Sequence, residues 1–515
     1  MTIALDTVAV GVGALTFSDV VAVARFGAHV HLAEDAVEAM NESRAVIETL
    51  ASDDRPHYGV STGFGALATK RIPPEQRAQL QRSLIRSHAA GSGPEVEREV
   101  VRALMLLRLS TLATGRTGVR PIVAETYAAA LNAGITPVVL EYGSLGCSGD
   151  LAPLAHCALA LMGEGEVRDA SGALMPAADA LAAAGIRPLV LREKEGLALI
   201  NGTDGMLGML VLAITDLRAL VTTADLAAAM SVEGLTGTAA VFAEDLQALR
   251  PHPGQKRSAA NMRAVLAGSA MTAKPEGFTR VQDAYSLRCA PQVHGAVRDT
   301  IEHAATVAGR ELASAVDNPV VTVDGRVESN GNFHGAPIGY VLDFLAIVSA
   351  DLASMSERRT DRFLDVSRNH GLTAFLADDP GVDSGHMIAQ YTQAAIVSEL
   401  KRLAVPASVD SIPSSAMQED HVSMGWGAAR KLRRAVAGLS RVVAIEVLTA
   451  ARALDLRAPL TPSPATAAVV ALLRESGVEG PGPDRHLSPE IEAAVALVQS
   501  GAVLAAVESK IGELQ

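Results

Sequence analysis

Cysteine is scarce: the 515 residues hold three, Cys147, Cys157 and Cys289, with no Cys-x-x-Cys spacing for a metal pair and too few for a disulfide framework. So sparing a use fits a reducing, cytoplasmic compartment. Aromatic residues are few as well, 3% of the chain with a single Trp, against 49% hydrophobic residues in which Ala and Leu dominate. Such a composition favours packed helices over sheet, so the expected class is mainly α. Basic clusters are missing: 44 Lys and Arg stand against 57 Asp and Glu, a net charge of −13, and none are interleaved with aromatics as a nucleic-acid surface requires. No basic residue precedes Arg25, and Asp6 and Asp19 interrupt the apolar N-terminal stretch, unlike a signal peptide. The most apolar run, residues 205–230, contains Asp216, Arg218 and Asp225, which would be costly inside a bilayer, so it reads as a core helix with no membrane partner.

Two parts are expected, 1–204 and a long-helix bundle with a C-terminal helical region over 205–515. Pro73 and Pro74 followed by Leu80, Leu84 and Ile85 mark a helix start that places His88 near its far end. Helical character continues over 101–113. Residues 136–143 read as extended, 151–162 as a helix and 166–176 as a small hairpin or surface loop. Long helical patterns follow at about 205–232, 289–315, 334–360, 384–404 and 424–454, with a hairpin turning at Asp324-Gly325 between two of them. The Pro- and Gly-containing region 459–483 is expected to separate the bundle from a short C-terminal helical piece.

The chemistry concentrates in Gly143-Ser-Leu-Gly-Cys147-Ser148-Gly149-Asp150. Taken alone, a Gly- and Ser-rich stretch before an Asp is a loop leading to a helix N-cap. It is neither a nucleophile elbow, because Asp150 stands where the last glycine belongs, nor a phosphate loop, because no Gly-Lys-Ser/Thr follows. A third possibility is internal. The glycines let the backbone fold until the Gly149 amide nitrogen reaches the Cys147 carbonyl carbon, and loss of water, including the Ser148 hydroxyl, leaves an exocyclic methylene on a five-membered ring.

Other segments support that possibility together. Tyr58-Gly-Val-Ser-Thr62-Gly63-Phe64-Gly65, Lys194-Glu195-Gly-Leu-Ala-Leu-Ile-Asn201-Gly202-Thr203, Gln282-Asp-Ala-Tyr285-Ser-Leu-Arg288, Gly331-Asn332-Phe333-His334-Gly335 and Gln418-Glu419-Asp420-His421 occur in the order found in the aromatic amino-acid ammonia-lyases, which this chain resembles over nearly its whole length. Ser87-His88-Ala-Ala-Gly91 is similar to the histidine-specific branch, and Cys-Ser-Gly, where most members have Ala-Ser-Gly, to its actinobacterial members. The resemblance implies a mainly α, fumarase-aspartase-like architecture, with a smaller N-terminal domain carrying the ring loop beside a long helical bundle. It also implies a 4-methylidene-imidazol-5-one (MIO) group formed from Cys147-Ser148-Gly149, no external cofactor or metal, a homotetramer sharing its sites between subunits, and conversion of L-histidine to trans-urocanate and ammonia.

By the same resemblance Tyr58 is the expected base for the β-proton, Arg288 the fork for the substrate carboxylate, and Asn201 a donor to the carboxylate or ring oxygen. Gln282 and Tyr285 form an active-site pair with Arg288, and Tyr285 and Glu419 are expected to be catalytic. His88 and Glu419 suit an imidazole, whose nitrogens need partners, and Phe333 offers a flat side. This set favours histidine over a tyrosine or phenylalanine lyase, or an aminomutase, on the same scaffold. The intact Ser148, Tyr58 and Arg288 argue against a silent relative with only a structural or binding role. Asp204 and His386 differ from residues common elsewhere in the family.

Overall fold

A computed structural model describes residues 6–53, 55–63, 70, 72–272 and 281–515, so Phe64 and Gly65 of the Tyr58 motif lie outside the described residues. The chain is mainly α and divides into two compact units, one from 1–212, 305–343 and 406–430, the other from 213–304, 344–405 and 431–515.

In the first unit, strand Thr7–Val10 pairs in parallel with His29–Leu32. The crossover helix Phe17–Phe26 starts at a capping box of Thr16 and Asp19 and stops at Gly27, whose φ of 71° is the left-handed turn that ends helices. It packs on Arg98–Ala113, a helix buried from Val100 onward. Arg102 inside that helix is satisfied by the carbonyls of Val23 and Leu131 at 3.0 and 3.1 Å, as a buried guanidinium requires. Helix Pro74–His88 ends on His88 as expected, and Leu151–Leu161 follows the Gly- and Ser-rich turn. Strand Leu140–Tyr142 pairs antiparallel with Ser92–Glu95, and Glu166–Arg168 with Leu174–Pro176. The Asp324-Gly325 hairpin joins Val320–Val321 to Val327–Glu328, and Val321 packs with Ile47 and Val60.

The long patterns become Asp204–Gly234, Ala290–Leu312, Ala336–Leu364, Met387–Leu403 and Gly425–Leu456. Asp204–Gly234 and Ala336–Leu364 are long and apolar enough to cross a membrane by length and composition, yet 72% and 61% of their most apolar windows are buried by protein. The stretch read as core is therefore packed as core. The region 459–483 lies between Gly425–Leu456 and the C-terminal helices Ser488–Gln499 and Ala502–Ile511, and it contains a helix of its own that the sequence reading did not single out, Pro464–Glu475. Ser463 caps it, Pro464 fits its first turn, and Glu233 of the second unit accepts from Ser463 N and Thr466 Oγ1, both at 2.6 Å. That helix packs on Ala502–Ile511 and Pro253–Leu266, and the C-terminal Gln515 exchanges two 2.8 Å hydrogen bonds with Asn261.

Candidate active site

The turn after Leu140–Tyr142 is built from backbone conformations that side chains resist. Gly143, Gly146 and Gly149 have φ of 149°, 69° and 80°. Ser144 Oγ accepts from Gly146 N at 3.2 Å and lies 3.0 Å from Asp150 Oδ1, to which it donates. From far along the chain, Met424 N donates to Leu145 O at 2.9 Å and Ser423 Oγ to Gly146 O at 3.1 Å. Gly149 forms a parallel bridge with Gly202, made through Asp150 N and Gly202 O at 2.7 Å, so the Gly149 amide is left out of the pairing. A Cβ on Gly149 would lie 1.9 Å from Gly202 O. A tightly turned Cys-Ser-Gly with carbonyls pinned on one side and no room for a side chain at its third residue fits the internal cyclisation.

Below the turn lies a buried polar layer. Asp150 Oδ2 accepts from Met206 N at 2.8 Å, near the start of helix Asp204–Gly234, and burial pushes the carboxyl up to about 7. Asp204 pairs with the fully buried Arg108 at 2.7 Å, and Arg108 also donates to the carbonyls of Ala198 and Asn201 at 2.9 and 2.7 Å. Asn201 Nδ2 donates to Asn318 O at 2.9 Å. Lys194 and Asp317 form a second fully buried pair. Gly59, next to Tyr58, fits against this segment: a Cβ there would meet Leu197 at 2.9 Å, Pro319 at 3.3 Å and Lys194 at 3.5 Å.

His88, Cys147 and Glu419 share one field. Burial lowers the His88 pKa, opposed by hydrogen bonding to Leu84 O and by the Glu419 carboxylate. The ring stays neutral at pH 7. Its Nδ1 lies 2.9 Å from Leu84 O, and a carbonyl only accepts, so Nδ1 carries the proton and Nε2 presents a lone pair. Burial, then the Glu419 carboxylate, pushes the Cys147 thiol up to about 12. Glu419 Oε2 accepts from Ser414 Oγ at 2.9 Å, across a loop in which Ser415, Ala416 and Met417 have φ of 51°, 53° and 69°. Left-handed non-glycine residues each cost roughly 1–2 kcal/mol, so this loop is held by its surroundings. Phe333 is half-buried, followed by His334, whose Nε2 lies 3.2 Å from His421 Nδ1. Gly335 abuts Met206 and Ser423, where a Cβ would come within 2.6 and 2.8 Å, so the Phe333 loop and the ring turn rest on the same serine.

The first unit therefore carries Tyr58, His88, Cys147, Ser148, Gly149, Asn201, Phe333 and Glu419. Gln282, Tyr285 and Arg288 belong to the second, where the Arg288 guanidinium sits 4.8 Å over the Tyr285 ring. His386, also in the second unit, is 2% exposed and bonds Thr449 Oγ1 at 3.1 Å. Sequence reasoning missed Asp150, Arg108, Ser423 and the Lys194–Asp317 pair. Asp150 was visible as the acid after Gly149, but nothing local marks Ser423 as a partner of residue 146.

The chain is similar to known proteins over nearly its whole length. The family model described as aromatic amino acid lyase matches residues 15–475. Histidine ammonia-lyase of Streptomyces griseus is 67% identical over 513 residues, 99% of this chain and 100% of that protein. Among solved structures, histidine ammonia-lyase from Trypanosoma cruzi superposes with a TM-score of 0.90 at 39% identity, covering 98% of this chain and 96% of that one. Tyrosine aminomutase from Streptomyces globisporus gives 0.93 at 38% identity, covering 99% and 100%. With a family match across most of its length and full-length relatives at this identity, the chain belongs to the aromatic amino acid lyase family.

Proposed function

We propose that this carbon–nitrogen lyase removes ammonia from L-histidine to give trans-urocanate. The observation that carries the reading is the 67% identity, across both full chains, to a histidine ammonia-lyase. The neutral His88 with its free Nε2 lone pair supports it, because an imidazole N–H is the partner such an acceptor needs.

Formed from Cys147, Ser148 and Gly149, the MIO group supplies the electrophilic methylene that eases loss of the amine, with no external cofactor. The chain's own residues do the rest. Tyr58 takes the β-proton; a phenol has a reference pKa near ~10, so it needs donors or positive charge beside it to act at moderate pH. His88 accepts from one imidazole nitrogen, while Glu419, steadied by Ser414, pairs with the imidazole or takes a proton moving from it. Phe333 flanks the ring. Arg288 clamps the carboxylate, Asn201 and Gln282 add hydrogen bonds, and Tyr285 takes part in proton handling.

We assign the working form to a cytoplasmic homotetramer whose sites combine residues of more than one subunit. Exposed apolar pairs one helical turn apart in the second unit support this: Phe344 and Ile347 at 45% and 43%, Ile388 and Tyr391 at 57% and 59%. The three cysteines are unpaired, as suits a reducing compartment. The test is a panel of histidine, tyrosine and phenylalanine, followed by ultraviolet absorbance of their distinct unsaturated acids. Urocanate formation well above the other products is expected; turnover of tyrosine or phenylalanine in preference to histidine overturns the reading.

A further inference from the structure

Ser286 lies inside the short helical turn Tyr285–Arg288, and its carbonyl accepts from Arg359 Nη1 at 3.1 Å. Arg359, from helix Ala336–Leu364, is fully buried. Its other edge forms a bidentate pair with Glu446, Nε to Oε1 at 2.5 Å and Nη2 to Oε2 at 2.9 Å, with both side chains 0% exposed. Ser231 Oγ donates to Glu446 Oε1 at 2.7 Å, fixing the carboxylate from a third helix. The guanidinium is planar, so a carboxylate gripping one edge sets the direction of its remaining N–H groups. One of them is aimed at the backbone of the turn.

The turn needs such a mount. Four residues of helix have almost no stability of their own. Tyr285 is 70% exposed, and Arg288 Nε is buried without a hydrogen-bond partner among the described residues. Stability alone does not account for the pair beneath, because replacing a buried ion pair with apolar residues of similar size is often neutral or stabilising. We propose that Arg359, locked by Glu446 and Ser231, is a positioning residue that sets the direction of Tyr285 and Arg288 toward the substrate. The proposal rests on the assignment of those two side chains to the substrate.

Two variants test it. Arg359→Lys keeps a charge for Glu446 but cannot hold both it and the Ser286 carbonyl in a fixed fork. The double variant Arg359→Met/Glu446→Leu removes both charges and so avoids an orphaned buried carboxylate. Both should fold by circular dichroism and carry the same mass loss as the wild type, with kcat/KM for histidine down at least tenfold and trans-urocanate bound more weakly in calorimetry. A double variant that recovers the wild-type melting temperature together with wild-type kcat/KM overturns the proposal. So does activity that falls only in proportion to the unfolded fraction. A wild type that ignores histidine but turns over another amino acid overturns the substrate reading instead, and the same comparison is then read on that amino acid.

Discussion

Gly149 and Gly202 lie side by side in a single parallel bridge, and neither has room for a side chain: a Cβ on the first would sit 1.9 Å from Gly202 O, and one on the second 2.1 Å from Arg108 Nη2. The closeness fixes the third residue of the ring-forming triad against a buried cation's scaffold. Ser148, between Cys147 and Gly149, is only half-buried. Ser148→Ala should therefore fold with wild-type circular dichroism and lose histidine turnover. Intact mass should show the wild type lighter than its encoded chain by two waters and the variant unmodified; a fully active, unmodified wild type contradicts the ring.

Cys147→Ala should keep the mass loss, because cyclisation uses the backbone carbonyl and not the thiol. Glu419 keeps its hydrogen bond from Ser414 and loses at most the thiol beside it, so turnover within about tenfold of wild type is expected, no more than the net worth of one hydrogen bond. A variant of unchanged encoded mass would show that the thiol takes part in ring formation.

His88→Phe removes the Nε2 acceptor and leaves the substrate's ring nitrogen unsatisfied, at a cost on the order of 1–3 kcal/mol, or roughly ten- to a hundredfold in kcat/KM for histidine. Phenylalanine has no such nitrogen, so its relative turnover should rise. Steady-state rates on both amino acids decide; equal losses would make His88 structural.

His386 should make the fold acid-sensitive. Burial, aided by Arg452 and Arg485, brings its pKa from 6.5 to about 3, so the unfolded chain takes up a proton that the folded one refuses between these values. The stability it contributes is complete above pH 6.5 and lost as the pH falls toward 3, about 2 kcal/mol of it by pH 5. His386→Gln can still bond Thr449 but takes no proton. Its melting temperature should drop less than the wild type's from pH 7 to pH 5, and parallel curves would refute this.

Light scattering should return the mass of four chains. A fully active monomer would contradict the assembly assigned above.

Much of this was legible beforehand where the signal is local. The Pro-started helix ending on His88, the hairpin at Asp324-Gly325 and the long helices all follow from caps, turn residues and apolar period, which act over a few neighbours. The helix Pro464–Glu475 was also announced locally, by Ser463 before Pro464, but the flanking Pro and Gly residues masked it. Arg108, Ser423 and Asp317 are different. Each acts through a partner 96, 277 and 123 residues away, and no periodicity encodes such a pairing. Likewise the tautomer of His88 follows from Leu84 O, a contact that only the folded helix end creates.

The anchorage of the ring turn also sets a timetable. Gly146 and Leu145 are held by Ser423 and Met424, residues synthesised long after the turn itself. While the chain is still growing on the ribosome, the glycines remain free to sample many shapes, and the close approach of Gly149 nitrogen to Cys147 carbonyl is rare. On the proposed chemistry, the ring's reactive double bond would thus arise only after residues 423 and 424 have been made and have folded against the turn.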